Sequence, residues 1–254
     1  MAFGLGFLSP QQPSTMSEQG ASKHVNLLII GAAKCGTTTV HRHLASLRGA
    51  YFSPLKEPNF HARNALDPSN FSRAFRSNHR DDLRDWYAGG MEPRAIGFVR
   101  SLSDYDRLFE QANPKEHGII GEASTSTLFD PLALDSVAEL HPEAKVLVVL
   151  RNPVDRMHSH WGMAMKYGFT ELDFRQAVEK DMRSPSQGWG ATELFHPLGL
   201  YAQQLKPWIE RWPQDRMRVL LTEDLANRET WESLSAWLGA TPTPEWLDQV
   251  VSKE

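Results

Sequence analysis

Apolar residues along this chain fall in short unbroken runs rather than in alternation. Leu-Leu-Ile-Ile at 27–30, the run at 118–120, Lys-Val-Leu-Val-Val-Leu at 145–150 and the run at 217–221 are each flanked by helix-like stretches instead of tight turns. Strands that are apolar on both faces and separated by helices predict an α/β protein with a mostly parallel sheet. Helical spacing predicts helices over 37–47, 132–140, 155–167, 201–212 and 229–238. In the fourth of these, Tyr201, Leu205, Trp208 and Trp212 share one face, which predicts core rather than site. The polar stretch 181–192, with Pro185, Gly188 and Gly190, reads as a mobile loop placed to border an acceptor site. Residues 1–24, mixed Gly, Ser, Pro and Gln, read as a disordered tail, and 25–254 as a single domain whose last stretch, 241–254, is a short helix or an unfinished element.

Composition narrows the class. The 254 residues are 41% hydrophobic and 23% charged, enough for one sizeable α/β core, and the formal net charge of −4 gives no electrostatic footprint for nucleic acid. No run approaches the ~20 apolar residues of a membrane span. Cys35 is the one cysteine, so no internal disulfide and no cysteine-based metal cluster is expected, and a reducing, cytoplasmic setting is favoured.

Candidate chemistry follows the strands, because ligands of a parallel sheet bind beyond its carboxyl ends. Residues 27–39 run from an apolar strand through Gly-Ala-Ala-Lys-Cys-Gly into Thr37, Thr38 and Thr39, the layout of an anion-binding turn at a helix start. Backbone N–H groups from Lys34 to Thr38 and the Lys34 ammonium are the expected donors. A nucleoside-triphosphate loop carries its lysine directly after the second glycine, where Thr37 stands here, which weakens an ATP or GTP reading. Arg151 closes the strand at 145–150, and Ser159 lies about two helical turns on, so both can face one phosphate. No acidic residue ends this strand to hold a metal. Pro58 holds Glu57 extended, able to project its carboxylate as a general base, with His61 as a second candidate base. The hydroxyl cluster after Ile120, residues 124–127, either lines the cleft or caps local turns.

Taken in order, Gly-Ala-Ala-Lys-Cys-Gly-Thr-Thr-Thr at 31–39, Lys-Glu-Pro-Asn-Phe at 56–60, Gly-Glu-Ala-Ser at 121–124, Arg-Asn-Pro-Val-Asp-Arg at 151–156 with Ser159, and Gly-Leu-Tyr at 199–201 with Trp208 and Pro213 resemble the PAPS-dependent sulfotransferases. The resemblance is to the branch that includes heparan sulfate sulfotransferases and soluble bacterial relatives. It implies a P-loop-type central parallel sheet flanked by helices, the sulfotransferase fold. It further implies 3′-phosphoadenylyl sulfate (PAPS) as cosubstrate without a metal, and in-line transfer of its sulfuryl group to a hydroxyl or amine of a carbohydrate, glycolipid or small-molecule acceptor. Lys34, Cys35, Gly36, Thr37, Thr38 and Thr39 would hold the 5′-phosphosulfate, and Arg151 and Ser159 the 3′-phosphate. Lys34 would also stabilise the leaving group, and Glu57 would take the acceptor proton.

Departures temper what the resemblance implies. Ala123 stands where many polysaccharide-modifying members have lysine, which argues against a heavily sulfated acceptor, and His61 stands where they have phenylalanine. The basic, glycine-containing loop that closes over the nucleotide in the family has no counterpart before Glu254, which leaves a shortened chain or a looser hold as expectations. Two other readings stand beside this one: a P-loop small-molecule kinase, and a nonenzymatic nucleotide-binding protein of the same fold.

Overall fold

The computed structural model describes residues 20–67, 69, 71–78, 83–184, 188–190 and 193–252. Its centre is a five-stranded sheet built from β1 (Leu27–Gly31), β2 (Ala50–Phe52), β5 (Ile119–Ala123), β6 (Lys145–Leu150) and β7 (Met217–Leu221), in the order β2-β5-β1-β6-β7. All four pairings are parallel. Every residue of β1 and β5 is buried, which is why these strands read as continuous apolar runs instead of alternating ones. Because β1 has β5 on one side and β6 on the other, the chain leaves it at a topological switch point, where loops diverge and open a crevice.

Two features were not expected. β2 has three residues, too few for a pattern to register, and it fits against β5 because Gly121 has no side chain there: a Cβ would come within 2.8 Å of the Phe52 ring. A separate parallel ribbon pairs β3 (Leu55–Glu57) with β4 (Arg94–Ile96). Strand β5 also runs further than the 118–120 run, so Glu122 lies within the strand and is buried rather than following it.

Helices Thr37–Ala45, Ala133–Leu140, Pro153–Lys166, Tyr201–Arg211 and Arg228–Leu238 occupy the expected stretches. Leu205, Trp208 and Trp212 enter the core as their shared face predicts. A further helix, Phe174–Met182, takes in the start of the stretch read as a mobile loop, and its Asp181 is buried, accepting from the Leu194 and Phe195 N–H groups at 3.0 and 2.9 Å. Residues 185–187 and 191–192 of that stretch lie outside the described residues. At the C-terminal side, the helix Pro244–Val251 is capped by Thr243 and sets the Trp246 ring edge-on to Trp231 at 5.9 Å.

The tail expected over 1–24 is ordered in its last part. Ala21–His24 forms a 3-10 turn, because the Asp106 carboxylate accepts from both the N–H and the hydroxyl of Ser22. Residues 1–19 of that expectation lie outside the described residues. The main core joins the sheet to its covering helices, while a second, smaller cluster of Ala62, Leu66, Phe71 and Phe98 packs with Ile96, Phe75 and Trp189. No described helix is long and apolar enough to cross a membrane.

Candidate functional site

One cleft of about 1250 Å³ opens over the carboxyl edge of the sheet. Lys34, Gly36, Thr37, Thr38, Glu57, Arg151 and Ser159 all line it, brought together from three separate segments of the chain.

The β1 loop is shaped by two left-handed residues, Lys34 at φ 67° and Gly36 at φ 89°. Left-handed backbone turns successive N–H groups toward one side, making a concavity suited to anions. Gly36 then caps the helix Thr37–Ala45 without a side chain, leaving the first-turn N–H groups directed into the cleft. Its missing Cβ would lie 3.2 Å from Leu225 in a conformation that L side chains rarely adopt, so glycine is needed on two counts. Thr222, directly after β7, steadies this loop: its hydroxyl lies 2.7 Å from the Cys35 carbonyl and 2.9 Å from that of Leu150. Burial lowers the pKa of the Lys34 ammonium, the Glu57 carboxylate opposes that shift, and the charges of Arg151, Lys56 and Arg156 add to it.

Cys35 and Thr39 are placed differently from the rest of the loop. The Cys35 N–H donates to the Ala32 carbonyl at 3.3 Å, and its thiol is fully buried 3.3 Å from the Tyr201 hydroxyl, with burial pushing its pKa up. Thr39 is exposed and does not line the cleft. Tyr201 packs at the margin of the main core, as the face of its helix predicts, and its hydroxyl reaches up to the floor of the loop.

Opposite stands the N-terminus of Pro153–Lys166. Asn152 caps it by accepting from the Val154 and Asp155 N–H groups, and Pro153 fills the first helical position, where no N–H is needed. Arg151 therefore leaves the end of β6 with its side chain in the cleft, and among the described residues no carboxylate pairs with it. Ser159 lies two turns along the same helix, half-buried in the cleft wall.

Glu57 closes β3, and each carboxylate oxygen is engaged: Lys56 Nζ donates to Oε1 at 2.7 Å, and Thr125 Oγ1 donates to Oε2 at 3.2 Å. The turn after it hangs on Asn59, which is left-handed at φ 55°. The Asn59 amide donates to the carbonyls of Glu57 and Gly97, its Oδ1 accepts from Ser126, and its own N–H donates to Ser124 Oγ. Of the hydroxyl cluster at 124–127, only Thr125 reaches the cleft; Ser124 and Ser126 hold this turn from beneath. Ser124 also donates to Glu122, whose carboxyl is pushed up to about 8 by burial.

His61 is not at the site. It is 2% exposed, with Nδ1 at 2.9 Å from Ser136 Oγ and Nε2 at 3.4 Å from the Tyr105 hydroxyl, which also meets His141. Burial holds its pKa well below the usual histidine range. A lone histidine gives no sign of whether its ring turns outward or into the core, and here the core holds it.

Other cleft residues were not read from the sequence. His41 lines it from the first helix, its ring edge-on to Phe52 at 5.0 Å, and burial pushes its pKa down to about 4. His160, pushed down to about 3 by burial, places Nε2 3.7 Å from Glu193, whose carboxyl burial pushes up to about 7. Beyond Glu57 the wall is Ile96, Phe98, Phe75 and Trp189, the cleft-facing part of the second aromatic cluster. Adjacency of Ser159 and His160 is the only local signal for any of these.

Comparison with known proteins identifies the family. Residues 25–253 match the family described as the sulfotransferase domain. Carbohydrate sulfotransferase 15 of Rattus norvegicus is 25% identical over 275 aligned positions, covering 89% of this chain and 45% of the relative. The human bifunctional heparan sulfate N-deacetylase/N-sulfotransferase 2 is 25% identical over 232 positions, covering 89% of this chain and 23% of the relative. The chain therefore spans less than half the length of these curated relatives. A sulfotransferase structure from Alicyclobacillus acidocaldarius superposes with a TM-score of 0.68 at 25% identity, covering 90% of each chain. The match takes in the β1 loop, the Glu57 strand and the Arg151 helix alike, and the chain belongs to the sulfotransferase family.

Proposed function

We propose that this protein transfers a sulfuryl group from PAPS to a hydroxyl or amine of a carbohydrate, glycolipid or small-molecule acceptor by in-line displacement. The observation that carries this reading is that two anion-facing segments and one oriented carboxylate share a single cleft: the β1 loop, Arg151 with Ser159, and Glu57. The residues present fit a bisphosphorylated nucleotide, since the loop offers an uncapped helix start and a glycine cradle, and Arg151 and Ser159 offer a second set of donors.

When bound, PAPS supplies a sulfuryl group already attached to a phosphate leaving group. Lys34 contributes a positive charge where negative charge grows as that group departs, an interaction stronger in the transition state than before it. Glu57 accepts the proton of the attacking hydroxyl or amine, and Lys56 and Thr125 fix the orientation of its carboxylate. Arg151 occupies the strand end at which a metal-dependent phosphotransferase keeps an aspartate. The apolar wall beside Glu57 favours an acceptor that presents an apolar or ring face next to the reacting group. A reducing cytoplasm suits the buried, unpaired thiol of Cys35.

The test is calorimetric titration with adenosine 3′,5′-bisphosphate, beside ADP with magnesium. Metal-independent preference for the bisphosphate is expected, followed by sulfate transfer from PAPS in an acceptor screen. Preference for ADP with magnesium would instead favour a kinase, and tight bisphosphate binding without transfer to any acceptor a nonenzymatic binder.

A further inference from the structure

Arg156 is the largest charged side chain in the interior, with 0% of its surface exposed. Burying a cation is costly unless an opposite charge accompanies it. Its hydrogen bonds go only to neutral groups: Nη2 donates to the Phe195 carbonyl, Nη1 donates to His160 Nδ1 at 3.4 Å, and Nε has no partner. Among the described residues no carboxylate forms an ion pair with it. Asp181, the acid whose field reaches it, is occupied by the Leu194 and Phe195 N–H groups. The two weak acids nearby, Cys35 and Tyr201, are held in their neutral forms because burial pushes both pKa values up.

Its position gives this charge a use. Arg156 lies in the first turn of the helix that follows Arg151, against Gly199, where a Cβ would come 3.7 Å from Nε. It bonds His160, which lines the cleft, and its charge is felt at Lys34 and Cys35 of the anion loop. We propose that Arg156 is a positioning residue whose buried charge is left unpaired by the protein so that the anion bound in the cleft serves as its counter-ion. This rests on the anion-binding reading of the cleft. The residue touches no ligand; it raises the potential beneath the loop and orders His160 and the 193–195 segment around it. Ligand phosphates and Arg156 then stabilise one another through a low-dielectric floor, where charge acts over longer distances than in water.

The experiment compares wild type, Arg156→Lys and Arg156→Met by calorimetry with adenosine 3′,5′-bisphosphate, inorganic pyrophosphate and uncharged adenosine. The proposal expects the methionine variant to lose about tenfold or more in affinity for both anions, the lysine variant to recover most of it, and adenosine binding to be unchanged in both. Methionine binding the anions as wild type does would overturn it. So would parallel loss of adenosine and anions, which marks a purely structural role. Wild type that ignores the bisphosphate yet binds pyrophosphate with the same lysine and methionine split keeps the counter-charge and removes the nucleotide reading; wild type that binds neither anion removes both. If the methionine variant does not fold, the Arg156 Nε–H resonance of wild type, assigned by its loss in the lysine variant, must move on adding pyrophosphate, and a stationary signal overturns the proposal.

Discussion

The two halves of the cleft are built on different foundations. The half that faces the loop and Arg151 stands on the carboxyl edge of a five-stranded sheet, with Thr222 within hydrogen-bond distance of both sides and helix starts supplying the donors. The half around Glu57 stands on a two-stranded ribbon, a single asparagine hub and a small aromatic cluster separate from the main core. The first half is made of backbone and fixed charge, suited to one invariant anionic partner. The second is made of side chains on short elements, which can be altered without disturbing the sheet. A transferase with one donor and a variable acceptor needs this division.

Mutations that separate the halves sharpen the contrast. Lys34→Ala should give the largest effect, a fall of about 10²–10³-fold in turnover with little change in melting temperature, since no ion pair among the described residues depends on it. Rate and thermal melt measured together decide this, and an undiminished rate removes Lys34 from the chemistry. Glu57→Gln should cost about 10²-fold in turnover while bisphosphate affinity stays intact. His61→Phe, in contrast, should keep the rate, because that ring packs among Ser136, Tyr105 and His141 rather than in the cleft. Arg151→Ala should weaken the 3′-phosphorylated nucleotide by about 10–100-fold and leave adenosine 5′-monophosphate nearly unchanged, which parallel titrations would reveal. Trp189→Ala should raise the acceptor KM by several-fold without altering nucleotide affinity, since it packs with the aromatic cluster of the second half.

The smallest effect is one of stability. Glu122, with its pKa raised to about 8, stays protonated in the fold while the unfolded chain ionises it near 4.5. The unfolded state therefore binds fewer protons between those values, and stability falls as pH rises through this window. His141, lowered to about 4 by burial, works in the opposite direction: its contribution is full above 6.5 and is lost as pH falls toward 4. Between pH 7 and 8, Glu122 dominates among these groups, at no more than about 1.4 kcal/mol per pH unit. Glu122→Gln should flatten denaturant-measured stability across that interval; an unchanged slope would mean that the carboxyl is already ionised in the fold.

The same division explains what could be read from the chain. The β1 loop and the Arg151 segment are contiguous in sequence, and a strand followed by glycines and a helix start carries its meaning locally. Leu27–Gly31 and Lys145–Leu150 were visible for the same reason, as strands buried on both faces. Asn59 was not, because its role depends on Gly97, Ser124 and Ser126 far along the chain. His160 and Glu193 meet only after the helix Phe174–Met182 turns the chain back, and Trp189 gains its place from packing against Phe129 and the Phe98 cluster. Ribbon strands of three residues are too short for periodicity to register. His61 illustrates the reverse error: a residue type suited to catalysis, spent on the core.

Thr222 carries a consequence beyond stability. One hydroxyl, on the segment that follows β7, lies within hydrogen-bond distance of the carbonyl of Cys35 and of that of Leu150, the last residue before Arg151, with one proton to donate between them. It works as a gauge block between two jaws, setting the span at which the loop and the arginine can grip a single molecule. Under the proposed reading, a nucleotide whose second phosphate sits on the neighbouring 2′ oxygen would present a different span to these jaws, and weaker binding of that isomer, of identical charge and composition, is the expected outcome of a parallel titration.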